Sequence, residues 1–203
     1  MEYLLTSSPI LGMLLWTALY ISDYYMTLSS AKGYKEMSVM RFENSFELNP
    51  AFQKDIDSQT RISRRHVTFL ILYTSAILFL WFVAVKMFNA AWAYSFFIGM
   101  LVLMEVTIHM RHFRNWYFLK VFRSKGGITG GITYAQWFSY RVSAFEFYCF
   151  AFLYLFFFLL TYSFFFLGGV VICLRIGISH SNLAKKVERQ HAVSVTKNEN
   201  PSS

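Results

Sequence analysis

The chain has 203 residues, of which 56% are hydrophobic, 20% aromatic and only 15% charged, with a net charge of +8. A soluble domain carries about 25% charged residues, so a water-exposed fold would have to display many of the 23 phenylalanines. Disorder of the whole chain is excluded, because it needs low hydrophobicity and high charge. A disulfide scaffold is excluded by two lone cysteines, Cys149 and Cys173, each inside an apolar run. What remains is an all-α polytopic transmembrane helical bundle.

A span needs about 20 mostly apolar residues, and four segments meet that test. They are 9–28, interrupted by Asp23; 67–88, with Lys86 near its end; 90–109, with Glu105 inside it; and the uncharged run 147–174. Inside a bilayer each backbone amide must be satisfied within its own segment, so these are predicted helices. The first run has no basic region ahead of it and no small-residue cleavage site before Asp23, so it reads as a retained span. The last run is 28 residues, or about 42 Å as one helix. Begun at Tyr134 it has 41 residues to Leu174, room for two spans. A hairpin needs turn chemistry mid-run; 154–160 has none, and the polar notch 161–163 sits late. Four spans is therefore the expectation and five the alternative. Residues 1–180 form one membrane-embedded domain, with 181–203 as a mobile polar tail.

The loops give orientation. Seven basic residues lie in 29–66 and five in 110–133. The positive-inside rule puts both loops in the cytoplasm, most simply at the cell membrane. In the first loop, Asn49-Pro50 is a helix-start signal, predicting a helix that runs along the interface into the second span. Glu43 and Glu47 flank it as candidate ligands at the membrane edge. In the second loop, Gly126-Gly127-Ile128-Thr129 repeats at once as Gly130-Gly131-Ile132-Thr133, but no Gly-Lys-Ser/Thr closes it as a phosphate loop. It reads as a connector to a helix capped by Thr133 and Gln136. Arg111, Arg114, Lys120, Arg123 and Lys125, with no acid among them, point to anionic lipid headgroups rather than nucleic acid.

Charges at membrane depth are costly and point to function. Trp16, Tyr20, Asp23 and Thr27 share one helical face, and Glu105, His109 and His112 share another. Arg141 and Glu146 sit where the last run begins. Asp23, Thr27, Glu105 and His109 make a candidate polar cluster, with Asp23 expected to approach Glu105 or His109. A carboxylate and two imidazoles on one face also have the ligand types for a divalent metal held by Glu105, His109 and His112. Pairing of Asp23 or Glu105 with Arg111 or Arg141 is the structural alternative.

Asp23 with Thr27 four residues on, followed by Glu47-x-Asn49-Pro50 before the second span, resembles a domain-of-unknown-function group of small prokaryotic multi-pass membrane proteins. The resemblance implies a shared polar site and no activity. Three readings follow. The protein binds or conducts a cation or protons; or it is a metal-dependent membrane enzyme acting on a lipid; or it is a non-catalytic subunit or scaffold. Oligomers or a larger membrane complex would serve the first and third.

Overall fold

The computed structural model describes residues 2–37, 40–127 and 130–199. Ile128 and Thr129 of the glycine repeat, and the last four residues of the polar tail, lie outside these. The regular elements of the described chain are helices and two short strands. Its helices are α1 (Glu2–Ser7), α2 (Pro9–Lys35), α3 (Gln53–Asp57), α4 (Arg64–Trp81, wound on as a π-helix over Phe82–Met87), α5 (Ala91–Lys125), α6 (Gln136–Thr161) and α7 (Phe164–Glu199). Four are long and apolar enough to cross a membrane: Arg64–Met87, Ala91–Lys125, Gln136–Thr161 and Phe164–His191. The protein is an all-α polytopic bundle of four such spans. α2, 27 residues long but carrying Ser22, Asp23 and four tyrosines, packs alongside them.

The four spans are not the four segments expected. The run 147–174 is divided between α6 and α7. Tyr162 adopts a left-handed conformation, φ 52°, and its N–H closes α6 on the Phe158 carbonyl at 2.7 Å. The Thr161 hydroxyl then accepts from the Ser163 amide at 3.3 Å. The polar notch therefore satisfies the backbone of a hairpin apex without glycine. It is central rather than late because α6 begins at Gln136 and α7 continues past Arg175. The expected tail is likewise helical through Glu199.

Contacts fix the directions. Gly12 faces Tyr94 and Ile98, and Gly33 faces Leu119, so α2 and α5 run parallel. Gly99 faces Phe165 and Thr107 meets Cys173 at 3.6 Å, so α7 runs with them. Tyr154 bonds the Leu103 carbonyl at 3.0 Å while Phe147 lies under Arg111, so α6 runs against α5. Tyr24 stacks on His66 while Thr17 meets Thr74 at 3.5 Å, so α4 runs against α2. Both loops and the C-terminal part of α7 thus gather at one end, where Arg141 bonds Glu188 at 2.6 Å. Four spans over 9–28, 67–88, 90–109 and 147–174 would instead put the tail at the opposite end from the loops.

The loops are built rather than loose. β1 (Met40–Phe42) pairs in parallel with β2 (Ile132–Tyr134), Met40 opposite Ile132. Asn49 does start a turn, its Oδ1 accepting from the Ala51 amide at 3.0 Å. The helix that follows is only α3. It stops at Ser58, and Gln59 takes φ 54°, so no continuous helix runs into α4. Ser63 caps α4 instead, accepting from the His66 amide. α6 is not capped by Thr133, which lies in β2; the Glu43 carboxylate accepts from the Gln136 amide at 3.1 Å.

At the other end of the bundle, Trp16, Ile77, Tyr94, Ile98, Leu101, Val102, Phe165 and Val170 form the apolar core. There α5 and α7 touch backbone to backbone. A Cβ at Gly99 would lie 2.0 Å from the Phe165 carbonyl oxygen, and one at Gly168 would lie 2.1 Å from that of Phe96. Small residues permitting such approach are the usual device of helix packing in lipid, where no hydrophobic force joins helices.

Candidate functional site

A cavity of about 860 Å³ lies beneath the loops, walled by α2, α4, α5, α6, α7 and the segment 40–56. Asp23, Glu47, Glu105 and Glu146 line it, together with Arg111, Arg114 and Arg175 and the imidazoles of His66, His112 and His180. Such a concentration of ionisable groups among membrane-length helices is costly and marks a site.

α2 and α5 meet at its floor. The His112 Nε2–H donates to Asp23 Oδ1 at 2.7 Å, and Thr27 Oγ1 lies 3.1 Å from the same nitrogen. One turn deeper, His109 uses both ring nitrogens: Nδ1–H donates to the Glu105 carbonyl at 2.7 Å, leaving Nε2 to Ser22 Oγ at 2.7 Å. Asp23 therefore joins α5 as expected, but at His112 rather than at Glu105 or His109. The parallel helices set the register, and Ser22 occupies the position beside His109. Glu105 is 1% exposed yet faces the cavity, and its Oε2 has no hydrogen-bond partner among the described residues.

The expected metal set does not converge. Glu105, His109 and His112 share a face in sequence, but His109 turns to Ser22 and a backbone carbonyl while His112 turns to Asp23. Among the described residues no three His, Cys, Asp or Glu side chains are grouped to hold a metal ion.

The five basic residues expected at lipid headgroups divide. Arg111 turns inward and Arg114, 40% exposed, reaches in from the rim; both bind the Glu146 carboxylate, Arg111 Nε at 2.8 Å from Oε2 and Arg114 on Oε1. Arg111 also lies over the Phe147 ring, 5.5 Å from its centroid. Lys120 lies over Trp116, Arg123 bonds Glu36 at 2.9 Å, and Lys125 is exposed. The helix carries basic residues to two faces, a distinction invisible in a charge count.

The loop acids also part. Glu43 caps α6. Glu47 folds over the cavity: its Oε1 accepts from the Asn49 amide at 2.6 Å, and its carbonyl accepts from Gln53. Tyr140 of α6 holds the next carbonyl, Leu48, at 3.1 Å. The carboxylate touches cavity space but is otherwise enclosed by protein. That enclosure pushes its pKa up to about 7; the Asn49 amide, Arg111 and His112 pull downward, while Asp23 adds to the rise. The Asp23–Thr27 and Glu47–Asn49–Pro50 elements, distant in sequence, thus line one cavity.

Four participants were missed or left unassigned. His66 is sandwiched between Tyr20 and Tyr24, at 4.3 and 4.4 Å between ring centroids. Glu146 is the acid for both Arg111 and Arg114. His180 meets Ser143 at 2.9 Å, and Arg175 lies on the cavity wall. Glu146 and Arg175 each interrupt or end an apolar run, which is the signal that marked them. His66 and His180 sat at expected segment edges and carried none. Compared with family models, curated proteins and solved structures, the chain matches none.

Proposed function

We propose that this multi-pass membrane protein binds a proton or a small monovalent cation at Glu105, reached through the cavity from the loop end. The observation that carries this reading is the Glu105 carboxylate itself, enclosed, facing the cavity and with Oε2 unpartnered among the described residues. An ionised carboxylate left so in a low-dielectric interior costs several kcal/mol; a proton or a cation removes that cost. The Asp23–His112 pair lies between Glu105 and the loops, placed to pass a proton inward. Beyond Glu105 the bundle is packed with Ile98, Leu101 and Val102, so the cavity is open from one end. That supports a binding site which a conformational change must expose to the other side, rather than a standing pore.

The test is infrared titration of the protein in liposomes. We expect a protonated-carboxyl band that persists at neutral pH and is absent from Glu105→Gln. An imposed pH gradient should decay faster with the wild type than with Glu105→Gln or Asp23→Asn. A band that a sodium or potassium salt displaces would assign the cation rather than the proton. Identical spectra and gradients for wild type and Glu105→Gln would refute the proposal.

A further inference from the structure

The cavity holds more guanidinium than its acids engage. Arg111 and Arg114 share the single carboxylate of Glu146. Asp23 is taken up by His112. Arg175 adds a third guanidinium to the cavity lining, from within an apolar membrane-length helix, and has no acidic partner among the described residues. Although Glu47 and Glu105 also line the cavity, neither forms an ion pair with these arginines, and guanidinium forks left short of carboxylate at a cavity mouth match an oxyanion's geometry.

The wall beside Arg175 is apolar. Ile172 and Ile176 of α7 face the cavity together with Met104 and Ile108 of α5. Tyr73 of α4 lines it too, yet α4 packs chiefly on α2 and has no packed interface with α7. The cavity thus has a charged floor and an apolar flank between two membrane-length helices. A free anion has no use for that flank. The volume, about 860 Å³, suits the head and first chain segments of an amphiphile, since pockets that enclose small organic ligands run about 300–1,000 Å³.

We infer that the cavity binds a membrane amphiphile through a phosphate-type oxyanion held by Arg111, Arg114 and Arg175, with its chain leaving between α4 and α7. The occupant competes with Glu146 for Arg111 and Arg114. This inference does not depend on proton binding at Glu105, and lipid binding is read at fixed pH.

The full-length protein in non-ionic detergent is titrated with phosphatidic acid, phosphatidylcholine or inorganic phosphate and read by native mass spectrometry. High salt screens exposed basic residues. We expect one phosphatidic acid per chain to survive it and phosphatidylcholine to wash off. Arg175→Gln, which breaks no ion pair, should weaken retention about tenfold, the effect of one charge-assisted contact. Glu146→Gln, which keeps an acceptor but frees the arginines, should strengthen it several-fold. Lys120→Gln, on an exposed face, should change nothing. Equal retention of the two lipids would overturn the inference. So would displacement by equimolar inorganic phosphate, which would mark a site for a free anion. Unchanged affinity in both Arg175→Gln and Glu146→Gln would place the bound lipid elsewhere and overturn it as well.

Discussion

The two halves of α5 do opposite things with the same helix. From Tyr94 to Leu103 it is buried in apolar contacts and meets α7 backbone to backbone at Gly99. From Glu105 to Arg114 it carries a carboxylate, two imidazoles and two arginines, and its neighbours stand back to leave a cavity. The first half holds the helices together; the second, supported by it, can keep charges and open space in the bundle. Close packing supplies the stability from which a costly polar site is offset.

The sharpest way to break that division is at the packed half. Gly99→Leu or Gly168→Leu puts side-chain atoms where a carbonyl already sits, and the helices have no other backbone route past each other. We expect loss of well over about 4 kcal/mol, seen as aggregated protein in size-exclusion chromatography, with the charged half intact in sequence but lost in fact. Next comes Glu146→Ala, which strands two arginines. The group is only partly buried, with 22% of the Arg111 and 40% of the Arg114 side chain exposed, so the cost falls below that of a fully buried pair, to about 2 kcal/mol, and the thermal midpoint should fall by about 2–4 °C per kcal/mol. Adding Arg114→Ala should recover part of it.

Asp23→Asn sharpens the comparison from the functional side. Asparagine keeps an oxygen for the His112 Nε2–H, so a change below about 1 kcal/mol is expected in thermal denaturation, while proton uptake changes. A large loss of stability with unaltered uptake would make the Asp23–His112 pair structural, belonging with the packed half.

Glu47 gives the pH dependence. Enclosure lifts its pKa above the unfolded value, so the folded state holds the proton over a window in which the unfolded chain has released it. Stability is therefore fully present below the unfolded pKa and falls as pH rises towards about 7, levelling off above it. Hydrogen exchange of 44–53 should accelerate across that window, and Glu47→Gln should flatten the response. The smallest effect belongs to the exposed Arg123–Glu36 pair: Glu36→Gln should stay within about 0.5 kcal/mol.

Much of the fold was legible in the residues. Apolar length marked the helices around 67–88 and 90–109, and the polar interruptions Asp23, Glu105 and His112 marked the side chains that gather at the cavity. The hairpin at Tyr162 was only half legible: the polar notch 161–163 was its trace, but counted from 147 it sat late, and a left-handed non-glycine residue carries no turn signal of its own. The roles of Arg111 and Arg114 were hidden for another reason. A basic residue near a helix end is equally suited to a headgroup and to a carboxylate, and Glu146 lies 35 positions beyond Arg111.

Hydropathy depends on each segment's own side chains, so the sequence by itself determined the membrane class, the helical state and which few ionisable groups had to be hidden from lipid. Partnership depends on how helices align. Only the parallel register of α2 and α5, locked at Gly12 and Gly33, brings Asp23 to His112 rather than to His109. Only the antiparallel return of α6 sets Glu146 between two arginines, and only the fold of the first loop lays Glu47 over the same cavity. Those choices are made by packing between segments distant in the chain, which no local pattern encodes.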